Sequence, residues 1–303
     1  MRYTDAMAAS TPPTFNAWRA SAQRYLHRGH AISFHAEGEG PPLVILHGFP
    51  SASWDFAPLW PALTARFRVI APDLLGFGDS AKPAGYAYTL VDQASMIEGL
   101  LAAQGASRAH VFAHDYGDSI AQELLARHEE RAGSGLLLGS ICFLNGGLFP
   151  EAHRPRTIQR LLNSPLGPLI GRLSSKRTFD AGMRGIFGPR TPPSAVLLDE
   201  LWALLVQHDG RRVLHLLIRY LDERPRLRDR WLAAMRGTKV PLRLIDGLLD
   251  PVSGAHMVRR CRELLPELDV VELPEVGHYP QIEDAPAVLA AFLAFHDRLR
   301  ERA

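Results

Sequence analysis

The sequence has few of the features that assign a chain to a specialised class of protein. It holds only two cysteines, Cys142 and Cys261, far apart in the chain, so no disulfide framework is expected. Its net charge of +2 gives no electrostatic case for nucleic acid as a main partner. The most apolar run, residues 136–148, is too short to span a bilayer, and residues 1–14 lack the apolar stretch of a signal peptide. We therefore expect a soluble, cytoplasmic protein without a membrane partner.

What the chain does contain is an alternation of apolar strands with amphipathic helices. Strands are predicted at residues 31–36, 43–46, 67–71, 109–112, 136–144, 241–246 and 268–273, and helices at 92–104, 120–128 and 285–299. Gly105 is expected just beyond the end of the helix predicted at residues 92–104. This order predicts an α/β fold with a mostly parallel central sheet flanked by helices.

The alternation stops after Asn145 and resumes only at Pro241. Between Phe149 and Arg230 the pattern is helical, rich in arginine and punctuated by prolines. An insertion of this kind between two sheet strands is most simply a helical cap over the strand ends. The predicted division is a core of residues 1–149 and 231–303 and a cap of residues 150–230. The cap arginines are predicted to form a solvated face, and the alternative is an anion site for a carboxylated substrate.

One tight turn, Ala113 to Gly117, lacks the serine that commonly stands at its apex. A strand, a turn with one reactive side chain and a helix form a nucleophile elbow, and the apex here is Asp115. A carboxylate is already an anion at neutral pH and suits displacement at a saturated carbon, which gives an alkyl ester that water must cleave. The alternative is that Asp115 only caps the following helix.

Cleavage of such an ester needs a base that activates water and an acid that orients the base. His278 follows the last predicted strand, and Asp250 follows the strand before it, so nucleophile, acid and histidine come in the order that the elbow fold requires. Asp246 and Asp284 are competing carboxylates, but Asp246 falls inside a strand and Asp284 opens the last helix. The backbone N–H groups of Phe49 and Tyr116 are the predicted oxyanion hole.

At this point the chain resembles the α/β-hydrolase superfamily, and within it the branch of epoxide hydrolases and haloalkane dehalogenases. The resemblance runs from about Tyr25 onward and rests on LHGFP at 46–50, DLLGFGDSAKP at 73–83, HDYGD at 114–118, LLDPV at 248–252 and GHYPQIED at 277–284. The stretches HDYGDSIAQELL, LNGGLFPEAHRP and HYPQIED resemble the mesoderm-specific transcript proteins. The resemblance implies a hydrolase with no cofactor or metal.

Within this branch, dehalogenases typically carry asparagine and tryptophan where this chain has Phe49 and Tyr116, which makes dehalogenation the alternative. HGFP is common among epoxide hydrolases, which use two cap tyrosines to donate to the developing alkoxide. Tyr220 matches one of the pair, and residues 149–230 hold no other tyrosine. Tyr220 could instead be a core residue with a tethered hydroxyl.

Three cap histidines, His153, His208 and His215, could replace the missing donor, although most such histidines are structural. Trp202 and Phe179 are expected to line or pack the cap. The resulting prediction is an epoxide hydrolase-like enzyme acting on a small apolar molecule. The remaining alternative is a non-catalytic ligand-binding protein on the same fold.

Overall fold

The computed structural model describes residues 11–132 and 134–301. Within them an eight-stranded sheet is formed by β1 (Gln23–His27), β2 (His30–Glu37), β3 (Pro42–Leu46), β4 (Arg68–Pro72), β5 (Arg108–Ala113), β6 (Leu137–Phe143), β7 (Leu242–Gly247) and β8 (Asp269–Leu273). The strand order is β1-β2-β4-β3-β5-β6-β7-β8. The pairs β1–β2 and β2–β4 are antiparallel and the other five pairs are parallel. The predicted α/β fold with a mostly parallel sheet is confirmed.

The helices of the described residues lie on both faces of this sheet or in the segment between β6 and β7. They are α1 (Phe15–Ala20), α2 (Trp60–Thr64), α3 (Leu90–Ala103), α4 (Tyr116–Glu130), α5 (Thr157–Leu162), α6 (Gly167–Leu173), α7 (Lys176–Arg184), α8 (Ala195–Val206), α9 (Leu214–Leu217), α10 (Tyr220–Gly237), α11 (Ala255–Leu264), α12 (Pro280–Glu283) and α13 (Ala285–Glu301), with 3-10 turns at Ser53–Leu59 and Gln207–Arg212. Because helices lie on both faces, the central strands are apolar throughout: the last four residues of β3 are fully buried.

Local signals explain most of the element boundaries. Thr89 caps α3 by accepting a hydrogen bond from the Asp92 N–H at 3.1 Å, and Gly105 follows the helix with a φ of +67°. The hairpin between β1 and β2 was not predicted. Its two-residue loop puts Arg28 and Gly29 at φ values of +48° and +81°, a conformation that arginine seldom takes. Strand β1 is also mostly exposed. An exposed edge strand carries no apolar alternation to detect.

The segment between β6 and β7 contains α5 to α10, so it is helical as predicted. Helix α10 continues across the predicted boundary at residue 230, and its later part packs on the core helix α4, where the Trp231 Nε1–H donates to Glu123 Oε2 at 2.9 Å. The division into core and cap therefore stays a prediction. Cys142 and Cys261 are buried and unbonded, as expected. No helix in the described ranges has both the length and the apolar character to cross a bilayer.

Candidate active site

The turn between β5 and α4 holds Asp115 in an unusual backbone conformation, with φ +47° and ψ −101°. A non-glycine residue at positive φ is strained, and the surroundings fix it: the Asp115 N–H donates to the Asn145 carbonyl oxygen at 3.1 Å. Gly117 lies so close to β3 that a Cβ there would collide with the Leu46 carbonyl oxygen. Asp115 occupies the N-cap position of α4, yet its side chain makes no capping hydrogen bond. The carboxylate is therefore available for other contacts.

The two oxygens of this carboxylate have different surroundings. Oδ2 accepts a hydrogen bond from the Phe49 N–H at 3.1 Å. Oδ1 has no hydrogen-bond partner among the described residues and lies 3.6 Å from Nη2 of Arg224. Burial by itself would raise the pKa of Asp115, but the charges of His278 and Arg224 outweigh it and lower the pKa. Asp115 is thus a buried anion with one free oxygen.

His278 is oriented by Asp250. The distance from His278 Nδ1 to Asp250 Oδ2 is 2.7 Å, and Asp250 in turn accepts from the N–H groups of Val252 and Ser253 and from the Ser253 hydroxyl. With Nδ1 directed at the carboxylate, Nε2 is left for substrate or water. Burial lowers the pKa of His278, yet the charges of Asp250 and then Asp115 raise it to about 9. The pKa of Asp250 is lowered to about 2.

The two competing carboxylates have other positions. Asp284 Oδ1 accepts from the Ala287 N–H and caps α13, as its sequence position predicted. Asp246 lies within β7 and is fully buried, and neither of its carboxylate oxygens has a hydrogen-bond partner in the part of the chain that is described. Burial raises its pKa well above the usual value. Of the three carboxylates, Asp250 is the one in contact with His278.

A cavity of about 230 Å³ lies between the loops that follow β3, β7 and β8 and the helices of the segment between β6 and β7. Its lining is mostly apolar and includes Phe49, Val252 and His278 from those loops and Leu162, Met183, Phe179 and Trp202 from those helices. Both Phe179 and Trp202, which the sequence placed in the cap, line this cavity. Such a lining suits a small and largely apolar molecule.

Tyr220, the first residue of α10, is 1% exposed. Its hydroxyl is 3.4 Å from Nε2 of Gln159, and its ring stands 5.0 Å from that of Tyr116 between centroids. Because the Gln159 amide donates, the Tyr220 proton remains free for another acceptor. Burial, followed by the Asp115 charge, raises the pKa of Tyr220 and keeps it protonated.

Two polar residues, Arg224 and His153, lie at the site although the sequence analysis did not include them in it. The guanidinium of Arg224 stacks on the Tyr220 ring at 4.4 Å and donates to the Ser119 hydroxyl and to the Asp115 carbonyl oxygen. His153 lies near it, since a Cβ added at Gly147 would meet both the Arg224 Nη1 and the His153 Nδ1. Neither ring nitrogen of His153 has a hydrogen-bond partner among residues 11–132 and 134–301.

The prediction that the cap arginines form a solvated face is wrong for Arg224, which is 1% exposed. It lies in the stretch ERPRLRDR of α10, whose density of charge is typical of a surface helix. The sequence pattern therefore does not distinguish the buried Arg224 from the other arginines of this stretch. Burial, and then the Arg224 charge, lowers the pKa of His153 to about 3, so this histidine is neutral. Of the three cap histidines considered from the sequence, His215 lines a separate cleft with Asn163 and Arg219.

The sheet, the elbow and the histidine loop define an α/β-hydrolase. Residues 41–285 match the model of the α/β hydrolase fold family, and the chain belongs to that family. The relatives include the putative hydrolase LipZ of Mycobacterium tuberculosis, 41% identical over 289 residues that cover 94% of this chain and 98% of LipZ. The human mesoderm-specific transcript homolog protein is 38% identical over 294 residues, which cover 93% of this chain and 88% of that protein. The family resemblance stated from the motifs is confirmed.

More distant similarities lie in the predicted branch. Haloalkane dehalogenase 2 of Mycobacterium bovis is 30% identical over 264 residues, covering 86% of this chain and 89% of that enzyme. Among solved structures, haloalkane dehalogenase DbeA from Bradyrhizobium elkani superposes with a TM-score of 0.76 at 22% identity, over 93% of this chain and 99% of that one. Epoxide hydrolase CorEH gives a TM-score of 0.74 at 19% identity, over 92% and 99%. At such identities the two structures support the shared fold alone.

Proposed function

We propose that this α/β-hydrolase opens epoxides of small, mostly apolar molecules through an ester on Asp115. The observation that carries this proposal is the buried Tyr220 hydroxyl beside the elbow, with its proton free. An alkoxide is a poor leaving group, so epoxide opening needs a donor in the site. Tyr220 supplies that donor, and the neutral His153 is the candidate for the second one.

The difference between the two Asp115 oxygens assigns them to successive steps. Oδ1, which has no hydrogen bond, attacks a ring carbon, the C–O bond of the epoxide breaks, and the ring oxygen takes a proton from the Tyr220 hydroxyl. Oδ2 then becomes the ester carbonyl oxygen, already facing the Phe49 N–H. The N–H of Tyr116, in the first turn of α4 and without an intrahelical acceptor, is the second donor.

Formation of the ester also prepares the base. In the free enzyme the negative charge of Asp115 helps to raise the pKa of His278 to about 9, so this histidine is protonated at neutral pH. Alkylation removes that negative charge, so the pKa of His278 falls. His278 then returns its proton to the Tyr220 phenolate and, now neutral, takes a proton from water, which attacks the ester carbonyl. When the tetrahedral intermediate collapses, the bond to the diol oxygen breaks and this oxygen takes the proton of the added hydroxyl. The diol leaves, and the Asp115 carboxylate and the His278 imidazolium are restored. The His278–Asp250 ion pair stabilises the imidazolium that forms in this step.

Halide displacement is the alternative, supported by the dehalogenase among the relatives. It is less well supported by the side chains at the elbow. The Phe49 ring packs on Phe77, and the Tyr116 hydroxyl donates to the Tyr88 carbonyl oxygen at 3.4 Å, so neither offers a side-chain N–H to a departing halide. A protein that binds ligands without turnover is the other alternative.

The test is to trap the ester. His278→Gln should accumulate a covalent adduct when it is incubated with styrene oxide or with a bromoalkane, because the first step proceeds and the second does not. Intact-protein mass spectrometry should show the mass of one whole epoxide added, and peptide mapping should locate it on Asp115. The same variant carrying Asp115→Ala is the matched control and should add nothing.

The outcomes separate the three functions. An adduct with the epoxide, and diol release by the wild type, support the proposal. Bromide release without diol formation would establish the dehalogenase instead. Absence of any adduct, together with ligand binding and no turnover in the wild type, would establish the binding protein.

A further inference from the structure

The cap carries a cluster of exposed aliphatic side chains. Nine large apolar side chains are exposed in the described part of the chain, and five of them lie between residues 158 and 173. These five, which we term the cap apolar surface, are Ile158, Leu161, Leu166, Leu169 and Leu173, and they are between 41% and 69% exposed. Such a concentration on one short segment is unlike the scattered single exposures of an ordinary surface.

The geometry of α5 and α6 explains why these side chains are exposed. Leu166, Leu169 and Leu173 have the spacing of one helix face, and Ile158 and Leu161 have the same spacing on the neighbouring α5. The opposite side of α6 carries Gly167 and Gly171, both of which are buried and too close to their neighbours to accept a Cβ. The glycine side of α6 therefore packs against neighbouring backbone, and its leucine side has no partner in the described structure.

The same segment is strongly basic. Five exposed arginines lie between residues 154 and 177, within or beside this segment of the chain, and none of them forms an ion pair with any described residue: Arg154, Arg156, Arg160, Arg172 and Arg177. The acidic residues of the segment are already engaged, since Glu151 pairs with Arg228 and Arg260 and Asp180 pairs with Lys176. This positive charge is free to meet an anionic surface.

The cap apolar surface also adjoins the entrance of the cavity. Arg156, Ile158 and Thr178 line the cavity and are at the same time exposed to solvent. Of these, Ile158 belongs both to the cap apolar surface and to the cavity lining. The patch and the cavity are therefore connected.

We propose that the cap docks on an anionic lipid bilayer, with the leucines of α6 inserted among the acyl chains and the arginines at the headgroups. A segment that combines exposed aliphatic side chains with unpaired arginines matches the surface of an interfacial protein. A second copy of the chain is a poorer occupant, because two such basic surfaces repel each other. A protein interface would also be expected to offer aromatic anchors, and the cap apolar surface has none.

The sequence predicted no membrane partner because no segment can span a bilayer. Docking needs no spanning segment, and it depends on which helix faces are exposed, which the sequence pattern does not reveal. Lipid docking would bring a lipophilic substrate to the cavity entrance directly from the bilayer. The inference rests on the cap surface and does not depend on the reaction at Asp115.

The test is flotation of the full chain with vesicles of phosphatidylcholine alone or with 30% phosphatidylglycerol. The wild type should float with the anionic vesicles, at least tenfold more than with the neutral ones, and high salt should weaken this binding. The triple variant Leu166→Gln, Leu169→Gln, Leu173→Gln should lose at least tenfold in binding. The double variant Leu26→Gln, Val91→Gln changes two exposed apolar side chains outside the cap and should bind as the wild type does.

Three results would overturn the proposal. The first is a wild type that stays unbound, and the second is a triple variant that binds the anionic vesicles as well as the wild type does. The third is sedimentation showing a wild-type dimer that the triple substitution dissociates, which would assign the surface to a second copy. A protein that combines the triple substitution with His278→Gln should still form the covalent adduct with styrene oxide in solution. Failure of docking and failure of the proposed reaction are therefore separate observations.

Discussion

The guanidinium of Arg224 lies 3.6 Å from the free carboxylate oxygen of Asp115, and both side chains are almost fully buried. Arg224 comes from helix α10, between β6 and β7, while Asp115 comes from the turn between β5 and α4. The same guanidinium bonds to the Asp115 carbonyl oxygen and to the Ser119 hydroxyl, so it holds α10 against the start of α4. One buried cation thus anchors the helix and favours the ionised form of Asp115.

We expect Arg224→Met to shift the acid limb of the pH profile of kcat/KM to higher pH. Asp115 acts as an anion, and loss of a neighbouring positive charge raises its pKa, so activity should be lost at a higher pH on acidification. The matched control is Arg224→Lys, which keeps the charge and should keep the limb nearer its wild-type position. An acid limb that does not move in Arg224→Met would show that this charge has no influence on the nucleophile.

Tyr220→Phe should distinguish epoxide opening from halide displacement. Without the hydroxyl the developing alkoxide loses its donor, so kcat on styrene oxide should fall by about 10²-fold. Alkylation by a bromoalkane needs no proton and should change little. Tyr86→Phe, which removes a hydroxyl bonded to Asp92 outside the site, is the control. Equal losses on both substrates would indicate that Tyr220 acts by packing alone.

The His278–Asp250 ion pair should make stability depend on pH in a defined direction. The folded-state pKa of His278 is raised to about 9, so its stabilisation is complete below the unfolded value near 6.5 and is lost as the pH rises through 9. The pKa of Asp250 is lowered to about 2, so its contribution is present above about 4 and is lost only near pH 2.

The difference in unfolding free energy between wild type and His278→Gln should therefore be largest near pH 5 to 6. It should shrink by pH 10 by an amount on the order of 3 kcal/mol, measured by urea denaturation at each pH. A difference that stays constant between pH 6 and pH 10 would contradict the assigned direction of the pKa shift.

Gly117→Ala should destabilise the fold and disturb the elbow. The added Cβ would collide with the backbone oxygen of Leu46 in β3, which cannot move without distorting the sheet, so we expect a loss of about 1–3 kcal/mol. Gly237→Ala is the matched control, because a Cβ there meets nothing within 4 Å and alanine favours a helix by up to about 1 kcal/mol. Equal unfolding midpoints in urea for the two variants would contradict this account.

Much of the fold was predictable because parallel strands buried on both faces are apolar throughout, as β3 is. The candidate triad was predictable as well, since its members follow β5, β7 and β8 in chain order. Other features depend on tertiary contacts that leave no mark in the sequence. Arg224 has the sequence surroundings of a surface arginine, and Leu166 and Leu169 have the spacing of a buried face. Which side of a helix is covered depends on its neighbours, and these belong to distant parts of the chain.

The hydrogen bond from His114 to the carbonyl oxygen of His278 joins positions 164 residues apart in the chain. A chain truncated just before His278 keeps Asp115 but loses this contact, the His278–Asp250 pair and the final helix. A chain truncated before residue 269 also lacks β8, so the elbow has no complete sheet to hold its strained backbone. The geometry that joins the elbow to the histidine loop therefore forms only after the C-terminal part of the chain has been made.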